Sequence, residues 1–293
     1  MQEAMFFTHV SAWNETHAME NGRDFELHHN SGFRCLTPEF HCHDYYEIYF
    51  YIAGEASLHI EEYAFRMNPR DVYIIPPGRM HRACFHDPKA YYERMFLYIS
   101  CAALQQMSTP DCPLLAILDG CAERGHFRHA LSEEQYVSCM RIFDQIIADS
   151  ANSAPHQQLI NRCNVTILLA RLCGHLNVEP SEEKLPASTR VTAVIAHINK
   201  HLSERLTLDE ISSRFYVSKF YLIREFKNYT NKSIYQYILS KRVFRAKMLM
   251  QSGVNPTNAY LQCGFIDYSS FYKAFKKETS ISPQQYMRSL AEH

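Results

Sequence analysis

The ten cysteines of this 293-residue chain form no C-x-x-C pair. Closed structural zinc sites draw their thiolates from such pairs, so a zinc-built fold is not expected. No stretch approaches the roughly 20 apolar residues that a bilayer-spanning helix needs, and the first residues, MQEAMFFTHVSAWNE, lack a basic segment followed by an apolar run. The expectation is a soluble, cytoplasmic protein with free buried thiols and no membrane partner.

Net charge is nearly lacking too, at −1, but the total conceals two opposed halves. Residues 187–293 hold 16 Lys+Arg against 7 Asp+Glu, whereas residues 1–186 hold 14 against 24. A domain at +9 has a field suited to a polyanion, because neutralising phosphates releases condensed counterions. The acidic half is expected to stay off the nucleic acid.

The pattern along the chain divides at the same place. Residues 33–86 read as short strands broken by turns (HCHDYYEIYFYIAG, EASLHIEE, YAFRM, DVYIIPPG), rich in aromatic and β-branched residues. From about residue 112 the period becomes helical. Ser132 and Gln135 have capping-box spacing before a helix with Tyr136, Met140, Phe143 and Ile147 on one face, and a second helix is expected from Pro155 to about His175. The polar, proline-containing stretch 177–188 reads as a linker. After it only helical patterns follow, with capping-box spacing at Thr207/Glu210 and Ser233/Gln236 and first-turn prolines at Pro256 and Pro283.

Two short-helix, turn, helix units stand in this basic half. Leu208–Phe215 leads through Tyr216–Ser218 into a helix at Lys219–Tyr229, and Thr257–Cys263 leads through Gly264–Phe265 into a helix at Tyr268–Glu278. Leu222 with Phe226, and Phe271 with Phe275, are expected to face the core. The opposite faces carry Lys219, Phe220, Ile223, Arg224 and Lys227, then Ser269, Ser270, Lys273, Lys276 and Lys277, which are the candidate DNA-binding residues. Such a basic face also suits a solvated helix, but its duplication, and Phe220 and Ile223 set to meet thymine methyls, favour DNA.

The stretch AYLQCGFIDYSSFYKAFKKETSISPQQY resembles the signature of the AraC/XylS family, with Gly264-Phe265, Phe271, Phe275-Lys276 and Pro283 at the family's spacing. The likeness covers roughly residues 190–290. It implies a seven-helix domain with two recognition helices in successive major-groove segments, base contacts from Phe220, Ile223, Arg224, Ser269, Ser270 and Lys273, and phosphate contacts from Lys227 and Lys276. Asn231 and Ser280 depart from the family, standing where it usually has glycine after each recognition helix.

The phrase His41-Cys42-His43-Asp44-Tyr45-Tyr46-Glu47, followed by Pro76-Pro77-Gly78-Arg79-Met80-His81, resembles the two motifs of the cupin barrel. Strand parity puts His41, His43, Tyr45, Glu47, Tyr49 and Tyr51 on one face and Tyr46, Ile48, Phe50 and Ile52 on the other. With His81, the first set is the candidate effector site. His41, His43, Glu47 and His81 also form a donor set for a divalent transition metal, though Arg70 and Phe85 replace the glycine and asparagine of the second cupin motif. Effector-binding or structural histidines are placed ahead of metal, so no cofactor is expected.

The expected architecture is a multi-domain α+β chain. A cupin-like β-barrel with trailing helices (1–176) senses effector and pairs subunits, and an all-α domain (189–293) with two helix-turn-helix units binds duplex DNA. The function is a ligand-responsive transcription regulator: a homodimer, not an enzyme, sensing a sugar or other polar metabolite and contacting RNA polymerase if it activates. The alternative is a metal-dependent cupin enzyme with an accessory helical domain.

Overall fold

The computed structural model describes residues 7–10, 19, 23–33, 37–87, 89–148, 154–176 and 189–291. The linker stretch 177–188 and most of the first 22 residues lie outside these. The N-terminal half is built from β1 (Phe7–Val10), β2 (Phe25–Gly32), β3 (Tyr46–Ala53), β4 (Ala56–Ile60), β5 (Tyr63–Arg66), β6 (Asp71–Ile75), β7 (His81–Phe85) and β8 (Tyr92–Ile99). Helices α1 (Cys101–Met107) and α2 (Leu114–Glu123), strand β9 (Arg128–Ala130), and helices α3 (Glu133–Ala148) and α4 (Pro155–His175) follow.

The strands form a six-stranded sheet in the order β1-β2-β8-β3-β6-β9 and a three-stranded sheet in the order β5-β4-β7. β3 lies inside the larger sheet, where Glu47 pairs with Tyr98 on β8 and with Ile75 on β6. Its alternation sorts side chains to opposite faces. Tyr46, Ile48 and Phe50 pack outward with Leu104, Leu118, Phe143, Leu168 and Leu169 of the helices, while Tyr49 and Tyr51 turn inward among Leu58, Ile60 and Phe65 of the smaller sheet.

Helix α3 matches the periodic pattern but rotates from the expected face. On α3 the buried residues are Cys139, Ile142, Phe143 and Ile146, with Tyr136, Met140 and Ile147 at the margin. The shift follows from α3 packing on the sheet and on α4 together, which a single-face count does not anticipate. On α4, Val165, Leu168, Leu169 and Leu172 are buried, and Ile160, Cys163 and Ile167 are exposed.

The basic half holds seven helices among the described residues: α5 (Thr189–Lys200), α6 (Leu208–Arg214), α7 (Lys219–Thr230), α8 (Ile234–Gln251), α9 (Pro256–Gln262), α10 (Tyr268–Thr279) and α11 (Pro283–Ala291). Thr207 with Glu210 and Ser233 with Gln236 form reciprocal capping boxes, which satisfy orphan amides at the starts of α6 and α8. α8 joins two small cores. Tyr237 and Ile238 belong to the one that buries Leu222 and Phe226, and Val243, Ala246 and Met250 to the one that buries Phe271 and Phe275. Asn231 and Ser280 both end recognition helices in the left-handed conformation, at φ 56° and 64°. In the second turn Gly264, φ +81°, backs onto the Leu202–Ser203 backbone, leaving no room for a Cβ. No helix among the described residues is long and apolar enough to cross a membrane.

Candidate effector site and DNA interface

The strand that begins at Tyr46 is preceded by an extended segment, 39–45, bridged to the start of β7 by paired backbone hydrogen bonds between His41 and His81. This brings both histidine motifs onto one carboxylate. His43 Nε2 and His81 Nε2 each lie 3.1 Å from the same Glu47 oxygen, Oε2. His41 flanks His81, ring centroids 4.4 Å apart, in a more open position. Tyr45 stacks on His43 at 4.0 Å, nearly parallel.

Each histidine donates from Nδ1 to a backbone carbonyl: His41 to Glu39, His43 to Tyr45 and His81 to Arg79, at 3.1, 2.8 and 2.9 Å. The assignment follows from the acceptors, since a carbonyl takes only a proton. It leaves Nε2 of His43 and of His81 facing Glu47, and the ligand atoms of these three residues lie within 4.8 Å of one another, a group that does not include His41. Burial alone would raise the Glu47 carboxyl, but its contacts with His43 and His81 outweigh it and hold the group well below the ordinary carboxylate range; either contact is a hydrogen bond only when that imidazole carries a second proton, at Nε2. Burial lowers His43 more than its contact with Glu47 raises it. Burial also lifts the phenols of Tyr45 and Tyr49, which stay protonated donors.

Tyr49 and Tyr51 do not join the cluster. They lie further along β3, Tyr49 under the Arg94 guanidinium at 5.0 Å and Tyr51 beside Tyr92 at 5.9 Å. Sequence reasoning missed two walls of the interior. β2 contributes Glu26, His28 and Asn30, and β8 contributes Arg94, Phe96 and Tyr98. Their signal was present as alternation, with Phe25 and Leu27 or Met95, Leu97 and Ile99 turned the other way. Asn30 Oδ1 and the Tyr51 hydroxyl are buried with no hydrogen-bond partner among the described residues.

In the basic half, Lys219, Phe220, Ile223, Arg224 and Lys227 on α7 and Ser269, Ser270, Lys273, Lys276 and Lys277 on α10 are all exposed, on the sides opposite the buried phenylalanines. Phe220 is 87% exposed. Arg224 Nε donates to Glu225 at 3.0 Å. Ser270 is the most constrained of the set, its amide and hydroxyl both bound to the N-cap Asp267. Tyr216 and Ile266, 94% and 89% exposed in the turns before the two recognition helices, were not anticipated.

Comparison with known proteins agrees with both halves. Residues 24–169 match the family model of the AraC-like ligand binding domain, and residues 211–289 match a helix-turn-helix domain model. Two uncharacterised HTH-type transcriptional regulators of Bacillus subtilis are similar over most of their length. YbfI is 26% identical over 263 residues, covering 87% of this chain and 90% of the relative, and YobQ is 28% identical over 254 residues, covering 85% and 89%. The arabinose operon regulatory protein of Salmonella typhimurium is 24% identical over 240 residues, 80% of each chain.

Proposed function

The chain belongs to the AraC family of ligand-responsive, DNA-binding transcription regulators, and on that premise we propose that it senses a small polar effector, a sugar or other hydroxylated metabolite, inside the 1–176 half. The supporting observation is the barrel interior: a buried carboxylate, imidazoles and phenols on and just before β3, with Asn30 Oδ1 of β2 and the Tyr51 hydroxyl of β3 lacking partners among the described residues. Buried polar groups are normally satisfied, so unpaired ones facing a polar interior suit a hydrogen-bonding guest. A thermal-shift screen of sugars on the full chain tests this, because a ligand of the native state raises its melting temperature by mass action. Absence of any sugar-induced shift, alongside a clear shift from another compound class, would replace the effector named here.

A second reading is favoured by the donor geometry. With each Nδ1 proton held by a carbonyl, His43 and His81 aim Nε2 at Glu47, at spacings of 3.1 Å. Ligands about 2.0–2.2 Å from one metal stand roughly this far apart, and the carbonyl-oriented imidazoles match the usual support of metal-ligating histidine. His43, Glu47 and His81, with His41 beside them, would hold a divalent transition metal, which would act there as a Lewis acid toward a bound oxygen. Metal content of the purified chain, compared with a His43→Ala, His81→Ala variant, decides it. We read the cluster as a sensor in either case, since the similar proteins are regulators.

The regulator works in the cytoplasm, reads duplex DNA through α7 and α10 in the 189–293 half, and meets RNA polymerase when it activates. It pairs as a homodimer through the exposed Ile160, Cys163 and Ile167 stripe of α4, an apolar strip of the kind buried in isologous interfaces. Sedimentation of an Ile160→Glu, Ile167→Glu variant is expected to show monomers; an unchanged oligomer would place the interface elsewhere.

A further inference from the structure

The segment that carries the histidines has two faces, and the second touches the DNA-binding half. His41 and His43 turn to Glu47 and His81. Phe40 and Cys42, between and before them, enter the apolar core that contains Phe226, Tyr237 and Ile238. The Asp44 carboxylate binds Lys247 Nζ of α8 at 2.7 Å, and Phe40 N donates to the last carbonyl of α7, Thr230 O, at 3.2 Å.

The facing turn repeats the arrangement. Gly78 lies against Phe244 of α8, and its carbonyl accepts from Lys241 Nζ at 2.9 Å. Arg79 O orients His81, Met80 enters the same core as Phe40, and His81 returns to the cluster. Backbone hydrogen bonds from His41 to His81 and from Gly78 to His43 O lock the two segments together. Beneath them Glu61, 1% exposed, bridges Arg79 of its own half and Lys241 of the other at 2.7 and 2.5 Å.

We propose that these two segments couple the His–Glu cluster energetically to α8, so that filling the cluster changes how α7 and α10 are held relative to each other. The biological use rests on the reading that the cluster takes a ligand. The route does not work by covering the DNA-reading surface, since Phe220, Arg224 and Lys227 stay exposed while the end of α7 and one side of α8 meet the barrel. It works through α8 because that helix joins both small cores. His41, His43 and His81 are each sequence neighbours of an interface residue, Phe40, Cys42 or Met80.

The test is a double-mutant cycle on the full chain, read as affinity for a fluorescent mixed-sequence duplex at fixed salt. Glu47→Gln alters the cluster and Lys241→Met the interface. The double variant is expected to depart from the product of the single effects by threefold or more, as residues of one contact network do. A departure below threefold overturns the proposal. If Lys241→Met fails to fold, Asp44→Asn replaces it, because that pair is partly exposed. Non-additivity in a chain whose melting temperature no sugar or metal raises would keep the coupling and remove the ligand reading. An additive cycle with a clear ligand shift would do the reverse.

Discussion

Phe244 of α8 lies so close to Gly78 that a methyl group on Gly78 would fall 2.1 Å from its Cε1, and Gly78 itself sits at φ +76°. One glycine thus meets two demands, a left-handed turn in the barrel and close approach of the DNA-binding half. Gly78→Ala is expected to cost on the order of 1–3 kcal/mol from overpacking and backbone strain together. Denaturant unfolding followed by proteolysis around Phe244 checks it. Unchanged stability and cleavage would show that the ring moves aside freely.

Ser280 holds φ 64° at the end of α10, a conformation that costs an L-residue about 1–2 kcal/mol. Ser280→Gly removes that strain but adds about 0.5–1 kcal/mol of unfolded-state freedom. A net gain of roughly 0.5–1 kcal/mol is expected, and Asn231→Gly should gain less because asparagine tolerates the left-handed region. A lowered urea midpoint for Ser280→Gly would contradict the strain argument.

His59 stacks on Tyr229 at 5.0 Å across the two halves. Burial, with the Arg82 guanidinium adding to it, pushes His59 from 6.5 down to about 4. The unfolded chain therefore binds its proton first as pH falls. Stability from the neutral ring is fully present above about 6.5 and is lost between there and about 4. His129, also lowered to about 4 by burial, adds a slope of the same sign. His59→Gln is expected to flatten part of the stability profile between pH 6.5 and 4; a profile parallel to that of the unsubstituted chain would count against it.

Arg224 and Lys276 should separate base reading from charge steering. Arg224→Ala is expected to cost about 1–3 kcal/mol on the preferred site and to relax one base pair, since the guanidinium fork can bond guanine O6 and N7 together. Among the described residues its contact with Glu225 uses Nε alone and leaves both terminal nitrogens free for the base. Lys276→Ala should weaken all sequences alike and flatten the salt slope by about one unit. Selection from a randomised duplex library distinguishes the two, and uniform weakening by Arg224→Ala would place base reading elsewhere.

What the sequence determined by itself is the set of features written in neighbouring residues. The starts of α6, α7, α8, α9 and α10 follow from Thr207, Ser218, Ser233, Asn255 and Asp267, each bonded to an amide three residues on. The two faces of β3 follow from alternation alone, and the exposed face of each recognition helix from its two buried large residues. β2 and β8 escaped reading because they become barrel walls only through pairing across some 70 residues, Phe25 with Ile99. Tertiary structure alone decided which sides of α3 and α4 are buried, that Tyr49 and Tyr51 stand apart from Glu47, and that Glu61 meets Lys241, 180 residues away. Capping and strand parity act within a few residues and leave a local pattern, whereas a buried ion pair or a ring against a glycine depends on where distant elements come to rest.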